Sequence, residues 1–319
     1  MSISRRQPSL GTIRLGTRGS KLAVWQAEYT AAQLKKQNPD LNVQIKIIKT
    51  TGDKVLDVAM AKIGDKGLFT KELEVELKRG TIDLAVHSLK DMPAELEAGL
   101  TISAVLAREN PADVLLTMNN AQLSDLPAQA VIGTSSLRRR AQLAAWRPDL
   151  QIVDIRGNVE TRLRKMQEQG LDGIILAYAG IKRLGLEEYI SDILSYETMM
   201  PAVGQGIIAV ETRDTYDEVR KIVSAINDHA THLAALAERS FLAAIQGGCQ
   251  VPVAAYARYS DGCLELSGLI ASLDGDIILR DCRKGTAAEA EEIGRFLANS
   301  LLQSGGAEIL DHIRNMGER

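Results

Sequence analysis

Between Val131 and Arg183 the chain carries ten basic and five acidic side chains, a local positive excess in a molecule of net charge −3. Arg138 and Arg139 follow Gly133-Thr134-Ser135-Ser136 where a helix should begin, and helix N-termini favour anions. Arg156-Gly157-Asn158 holds the matching place at the next strand-to-helix turn, with Arg162 about one helical turn later and Arg183 closing the segment. Guanidinium groups take carboxylates in a two-point grip, and the hydroxyls of Thr134 and Ser136 add donors. Thr17-Arg18-Gly19-Ser20 repeats the design earlier in the chain. The chemistry this implies is recognition of a ligand with many carboxylates. A solvated basic helix face is the bland alternative, but these arginines fall at strand C-terminal ends, where open α/β sheets bind ligands.

Two further constellations are reactive. His87-Ser88-Leu89-Lys90-Asp91-Met92-Pro93 ends an apolar strand and places a hydroxyl, an ammonium and a carboxylate at the rim of the same cleft. Asp91 beside Lys90 could stabilise positive charge or transfer protons, and the residues alone leave both open. Gly247-Gly248-Cys249 puts a thiol on a flexible turn, where it could be a nucleophile or an attachment point. No histidine or aspartate pairs with it as in a cysteine protease. Cys249, Cys263 and Cys282 are odd in number and lack CxxC spacing, which points to a reducing compartment and no metal site.

The elements that must position these residues alternate strand and helix. Thr12–Gly16 reads as a strand, Ser20 as the cap of a helix to about Gln37, Val43–Lys49 as a strand, Leu68–Lys78 as a helix and Ile82–His87 as a strand. The order then repeats. Ile13–Thr17 resembles Ala130–Thr134, Asn38–Leu41 resembles Arg147–Leu150, and Lys78–Leu84 resembles Glu168–Ile174. The first copy is longer by a segment between Thr50 and Gly67, read as a surface loop. The fold class expected is α/β: two lobes like the type II periplasmic-binding architecture, with mostly parallel sheets, plus a small α+β C-terminal domain. In that fold the chain crosses between lobes twice. The expected division is 1–106 with 207–226 as a discontinuous first lobe, 107–206 as the arginine-rich second lobe, and 227–319 as the C-terminal domain. There the pattern predicts a helix Leu233–Ala244, strands Val251–Ala257, Cys263–Ile270 and Ile277–Lys284, and a helix near Ala287–Leu302.

Composition narrows the partners. Hydrophobic residues are 45% and charged residues 25%, as in ordinary globular proteins. No apolar run approaches a membrane span of roughly 18–20 residues. The polar opening Met1–Leu10, with Arg5 and Arg6, lacks the apolar core of a signal peptide, so a cytoplasmic location and no membrane partner are expected. Aromatic residues are 4% of the chain, too few for a stacking platform, which argues against a nucleic-acid partner.

Eight segments together resemble the porphobilinogen deaminase family in the family's order: IRLGTRGSKLAVWQA (13–27), GLFTKELE (67–74), AVHSLKDMP (85–93), GTSSLRRRAQL (133–143), DIRGNVETRL (154–163), AYAGIKRLG (177–185), PAVGQGI (201–207) and GGCQVPVAAYA (247–257). Gln246 and Ala255 depart from the glutamate and glycine common there. The resemblance implies a transferase for porphyrin and heme biosynthesis that joins porphobilinogen units into 1-hydroxymethylbilane on a covalent dipyrromethane cofactor. It implies a thioether from Cys249 to that cofactor, whose carboxylates Ser88, Lys90, Thr134, Ser136, Arg138, Arg139, Arg156 and Arg162 would hold. Arg18, Ser20, Lys62, Phe69, Arg183 and Gln205 would contact substrate, Asp91 would be catalytic, and the loop after Thr50 would cover the cleft. A monomer is expected. Two other classes remain open on the residues alone: a solute-binding or effector-sensing module for an organic anion, and an RNA-binding protein using the arginine cluster.

Overall fold

The computed structural model describes residues 11–50, 70–246 and 251–317. Lys62, Phe69 and Cys249 lie outside the described residues, as does the expected loop beyond Thr50.

The first sheet runs in the order β2 (Asn42–Ile47), β1 (Thr12–Thr17), β3 (Leu84–Ser88), β10 (Ile208–Arg213), β4 (Leu100–Val105). The second runs β7 (Gln151–Val153), β6 (Val131–Gly133), β8 (Gly173–Ala177), β5 (Asp113–Thr117), β9 (Asp192–Ile193). In each, four strands run the same way and one, fourth in the order, is antiparallel to both neighbours. The antiparallel strand of each sheet, β10 or β5, enters directly after the chain has left the other sheet. The two sheets are therefore topological copies, as the sequence repeat predicts.

The repeat has a packing reason. Gly16 in β1 and Gly133 in β6 sit where a side chain has no room: a Cβ would lie 2.4 Å from Ile82 Cδ1 at Gly16 and 2.9 Å from Leu171 Cδ1 at Gly133. Each strand then leads into a capped helix. Ser20 Oγ accepts from Ala23 N at 3.3 Å to start α1 (Lys21–Gln37), and Ser136 Oγ accepts from Arg139 N at 3.4 Å to start α3 (Leu137–Trp146). Between them α2 (Lys71–Lys78) buries Leu73 and Leu77 under the first sheet. Asn158 caps α4 (Val159–Glu168), and the short α5 (Tyr178–Arg183) follows β8. β3 begins two residues later than its apolar run, at Leu84, with Ile82 packed against Leu73 and Leu77.

After α6 (Asp217–Ser224) a third unit forms. β11 (Val253–Ser260), β12 (Cys263–Ala271) and β13 (Ile278–Gly285) make an antiparallel sheet covered by α7 (His229–Ala244) and α8 (Ala290–Leu301), with Phe241, Leu266 and Leu297 in its core. The expected helix near Ala287–Leu302 forms as α8. Gly305, at φ 109, turns the chain before a further helix, α9 (Ala307–Gly317), that the sequence pattern did not suggest. The β12–β13 turn meets the second lobe: a Cβ at Gly275 would lie 2.5 Å from Ala141 O on α3.

Candidate active site

The ends of β1 and β3 open into a pocket lined by Arg18, Ser20, Gln26, His87, Ser88 and Asp91, among others. Ser88 Oγ accepts from Gln26 Nε2 at 2.9 Å, so α1 braces the last residue of β3. Lys90 and Asp91 follow in a single 3₁₀ turn, Leu89–Asp91, tied down by Leu89 N donating to Ile207 O at 3.0 Å. Asp91 is exposed at the rim.

Lys90 links the two lobes electrically. Burial pushes its ammonium down to about 8; Asp91 and Asp113 oppose that shift, while Arg139 and Arg138 add to it. It thus shares one field with the arginines of the second lobe. The lobes also touch through an ion pair from Lys21 to Glu160 and through Arg183, whose guanidinium lies 5.8 Å from the Trp25 ring centroid.

In the second lobe Thr134 is fully buried, and its Oγ1 accepts from Ser136 N at 3.3 Å. Arg138 and Arg139 are not a solvated face: they are 5% and 6% exposed and converge on Asp113, which is completely buried. Arg138 Nη1 donates to Asp113 Oδ2 at 2.7 Å and to Met200 O at 2.6 Å. Arg139 donates from Nε and Nη2 to Asp113 Oδ1, at 3.2 and 2.7 Å, and from Nη1 to Ile175 O at 2.9 Å. Burial alone would raise the Asp113 carboxyl, but the two guanidiniums hold it well below the usual carboxylate range. Gln205, expected beside substrate, is 1% exposed and donates inward to Pro111 O at 2.6 Å and to Asp113 Oδ1 at 2.9 Å.

Arg156 and Arg162 stand partly exposed around α4. Arg162 Nε donates to Gly157 O at 2.8 Å, a carbonyl presented by a residue at φ 121. Burial pushes the Arg162 guanidinium down to about 10; Arg139 and Arg156 add to that shift and Asp91 opposes it. Arg183 is 9% exposed, donates from Nη2 to Gly206 O at 2.7 Å, and is likewise pushed down to about 10 by burial. The sequence reading missed Asp113 and Gln26. A single acid opening the apolar strand Asp113–Thr117 was the available signal for the first; nothing local marked the second.

This donor set suits a polyanion. Arg138 uses Nη1 for its protein contacts, and its Nε–Nη2 edge makes no hydrogen bond among the described residues. That edge is the one a carboxylate grips at two points. Burial first, and Arg139 with it, push both Lys90 and Arg162 down, and a carboxylate bound beside them would oppose both shifts. The half-buried serine hydroxyls at the α3 start complete a surface that fits a dipyrromethane with its acetate and propionate side chains.

Fold and site together define a two-lobed α/β protein whose cleft is built to hold a ligand with many carboxylates. Residues 13–221 match the family described as porphobilinogen deaminase, dipyromethane cofactor binding domain, and residues 232–303 match the porphobilinogen deaminase C-terminal domain. The porphobilinogen deaminase of Syntrophomonas wolfei is 62% identical over 302 residues, 95% of this chain and 99% of that protein. That of Moorella thermoacetica is 52% identical over 302 residues, 95% and 96% of the two chains. Among solved structures, the BvgS periplasmic VFT2 domain of Bordetella pertussis is 13% identical, with a TM-score of 0.43, over 68% of this chain and 86% of that one; the fold described above rests on this chain's own strand order. The chain belongs to the porphobilinogen deaminase family.

Proposed function

We propose that the cleft between the two sheets is where this enzyme deaminates porphobilinogen and joins four units head to tail, releasing 1-hydroxymethylbilane for tetrapyrrole synthesis. The observation that carries this reading is the convergence of Lys90, Arg138, Arg139 and Arg162 in one field with an exposed carboxylate, Asp91, beside them. The dipyrromethane cofactor, when bound, supplies the ring carbon on which the chain is extended. The rest is the work of the protein's own residues. Cys249 anchors the cofactor as a thioether. Lys90, Arg138, Arg156 and Arg162 take its carboxylates, with Ser88, Thr134 and Ser136 as hydroxyl partners. Arg139 keeps the cluster in place through Asp113. Arg18 and Ser20 receive the incoming substrate in the first-lobe pocket, with Lys62, Phe69 and Arg183 assigned to the same role by their place in the family motifs, while Gln205 supports the cluster from within through Asp113. Asp91 faces the developing positive charge when ammonia leaves and holds ring N–H groups, the electrostatic use of a pre-positioned carboxylate.

The domain division we adopt is 1–106 with 207–226, 107–206, and 227–319. We place the enzyme in the cytoplasm as a monomer that needs no nucleic acid and no membrane. The net charge of −3 supports the absence of a nucleic-acid partner. Among the described residues no helix is long and apolar enough to cross a membrane.

Intact mass spectrometry tests the reading. Freshly purified protein should exceed its sequence mass by two linked pyrrole units, colour with Ehrlich's reagent, and map the addition to Cys249, with Cys263 and Cys282 as free thiols. Both of these are exposed and unbonded in the structure. Active protein at the unmodified mass would overturn it; inactive, colourless protein would favour an anion-binding module.

A further inference from the structure

Behind the first-lobe pocket lies a polar cluster with no place in the scheme above. His87, 5% exposed, lines the pocket together with Arg18, Ser88 and Asp91. Its Nε2 stands 3.0 Å from Oε2 of Glu211, a carboxylate with no exposed surface. The sheet register creates this pair. His87 of β3 lies opposite Ala209 of β10, so Glu211, two residues on, shares its face. The other charged groups in this neighbourhood are Glu74 of α2, Arg239 of α7, and Asp91 and Lys90 in His87's own segment. Burial and the proximity of Glu211 raise the Glu74 carboxyl, so a second acid beside the pair favours its neutral form.

A neutral imidazole has one donor and one acceptor nitrogen, and its partner decides which is which. A buried carboxylate against Nε2 fixes the proton there and leaves the lone pair on Nδ1. Among the described residues the imidazole makes no hydrogen bond besides the one to Glu211. The pocket therefore has a two-sign wall: the Arg18 guanidinium for a carboxylate, and Asp91 with an imidazole acceptor for a nitrogen donor.

We infer that His87 is a further substrate-contacting residue, its Nδ1 accepting a hydrogen bond from the ammonium or ring N–H of the incoming unit while Glu211 holds the tautomer. This rests on the deaminase reading and adds an orienting contact for the nitrogen-bearing end of the substrate. It assigns His87 no covalent step.

The test combines ¹⁵N-histidine NMR with two substitutions. The correctly primed Asp91→Asn protein is titrated with porphobilinogen, so that binding is observed without turnover. Expected are an Nε2–H tautomer for His87 and a shift of its Nδ1 resonance on addition. His87→Leu should raise KM about tenfold with a smaller change in kcat, the loss of one hydrogen bond. His87→Gln, which keeps an acceptor for substrate and a donor for Glu211, should stay within about threefold of the parent. An Nδ1–H tautomer, or an Nδ1 signal unmoved by saturating porphobilinogen, overturns the inference; so does a His87→Leu protein with unchanged KM. If His87→Leu does not fold, the NMR titration decides alone. Wild-type enzyme that fails to turn over porphobilinogen would sink the deaminase reading itself, whereas normal turnover with a silent imidazole sinks this inference only.

Discussion

Arg138 Nη1 donates to Asp113 Oδ2 at 2.7 Å inside the second lobe, so one arginine of the cluster proposed to bind anions is anchored from behind by a fully buried carboxylate. The arrangement separates holding the cation from using it. Asp113 opens β5 just after the first crossover between lobes, and Gln205 reaches it from the second crossover at 2.9 Å. The carboxylate therefore fixes the guanidiniums relative to both connections.

Asp113→Asn should destabilise the fold by about 3–5 kcal/mol, because it leaves two buried guanidiniums without their counter-charge. The Asp113 carboxyl titrates below its ordinary value in the folded chain. Its contribution is therefore fully present above the unfolded carboxylate value of roughly 3.9 and is lost as pH falls through the lower folded value. Urea unfolding of both proteins should show a constant gap between about pH 5 and 8 that closes only in stronger acid. A gap under about 1 kcal/mol at neutral pH would mean that the pair is not structural.

Lys90 predicts a pH effect on binding. In the ligand-free chain its ammonium is pushed down to about 8, so it discharges as pH rises through that value. A bound carboxylate favours the charged form, and binding must then be accompanied by proton uptake above about pH 8. Loading of the cofactor onto the ligand-free chain, read as gain of the primer mass, should therefore weaken across that window, and Lys90→Arg, which stays charged, should flatten the loss. The folded value lies below the unfolded one of roughly 10.4, so Lys90's own effect on stability improves as pH rises from about 8 to 10. Identical loading profiles for the two proteins would remove Lys90 from carboxylate binding.

Much of this site was legible before any coordinates, for local reasons. Gly16 and Gly133 mark places where apolar side chains pack too closely onto the strand for a Cβ, and Ser20 and Ser136 are caps whose hydroxyl function can be read from the residue type. Those four residues carry the duplication. What was not legible is non-local. Nothing near Asp113 says that two arginines some 25 residues on will close over it, since both contacts depend on how β5 enters the second sheet between β8 and β9. The inward turn of Gln205 has the same origin. The final helix was hidden because Gly305-Gly306 reads as a stop, whereas Gly305 at φ 109 is only a kink.

Arg156 and Arg139 should fail differently. Arg156 is partly exposed on the cleft, and Arg156→Leu removes a charge-assisted bond worth on the order of 1.5–3 kcal/mol to ligand while the fold persists. Arg139→Leu removes three hydrogen bonds to the interior and should lower stability as well as activity. Thermal melts alongside intact mass separate the cases: a normal melt with missing primer or stalled elongation for Arg156→Leu, a reduced melt for Arg139→Leu. Two normal melts with full turnover would reduce both arginines to bystanders.

Asp91 carries the sharpest prediction. It lies exposed at the rim, on a turn whose first residue is fixed by the 3.0 Å bond from Leu89 N to Ile207 O, so its carboxylate is short and its backbone is held. Departure of ammonia leaves positive charge on the ring, and a carboxylate placed beforehand stabilises that charge without reorganising. Asp91→Asn keeps the shape and loses the charge. It should fold normally, carry its primer, and lose turnover by several orders of magnitude. Asp91→Glu keeps the charge but displaces it by about one methylene, a misplacement that can cost roughly a hundredfold in rate. Single-turnover ammonia release in each variant, with the primer verified by mass, measures the step itself and excludes a failure of assembly. Near-normal release from correctly primed Asp91→Asn protein would take Asp91 out of the chemistry and leave the cation cluster to be explained by binding alone.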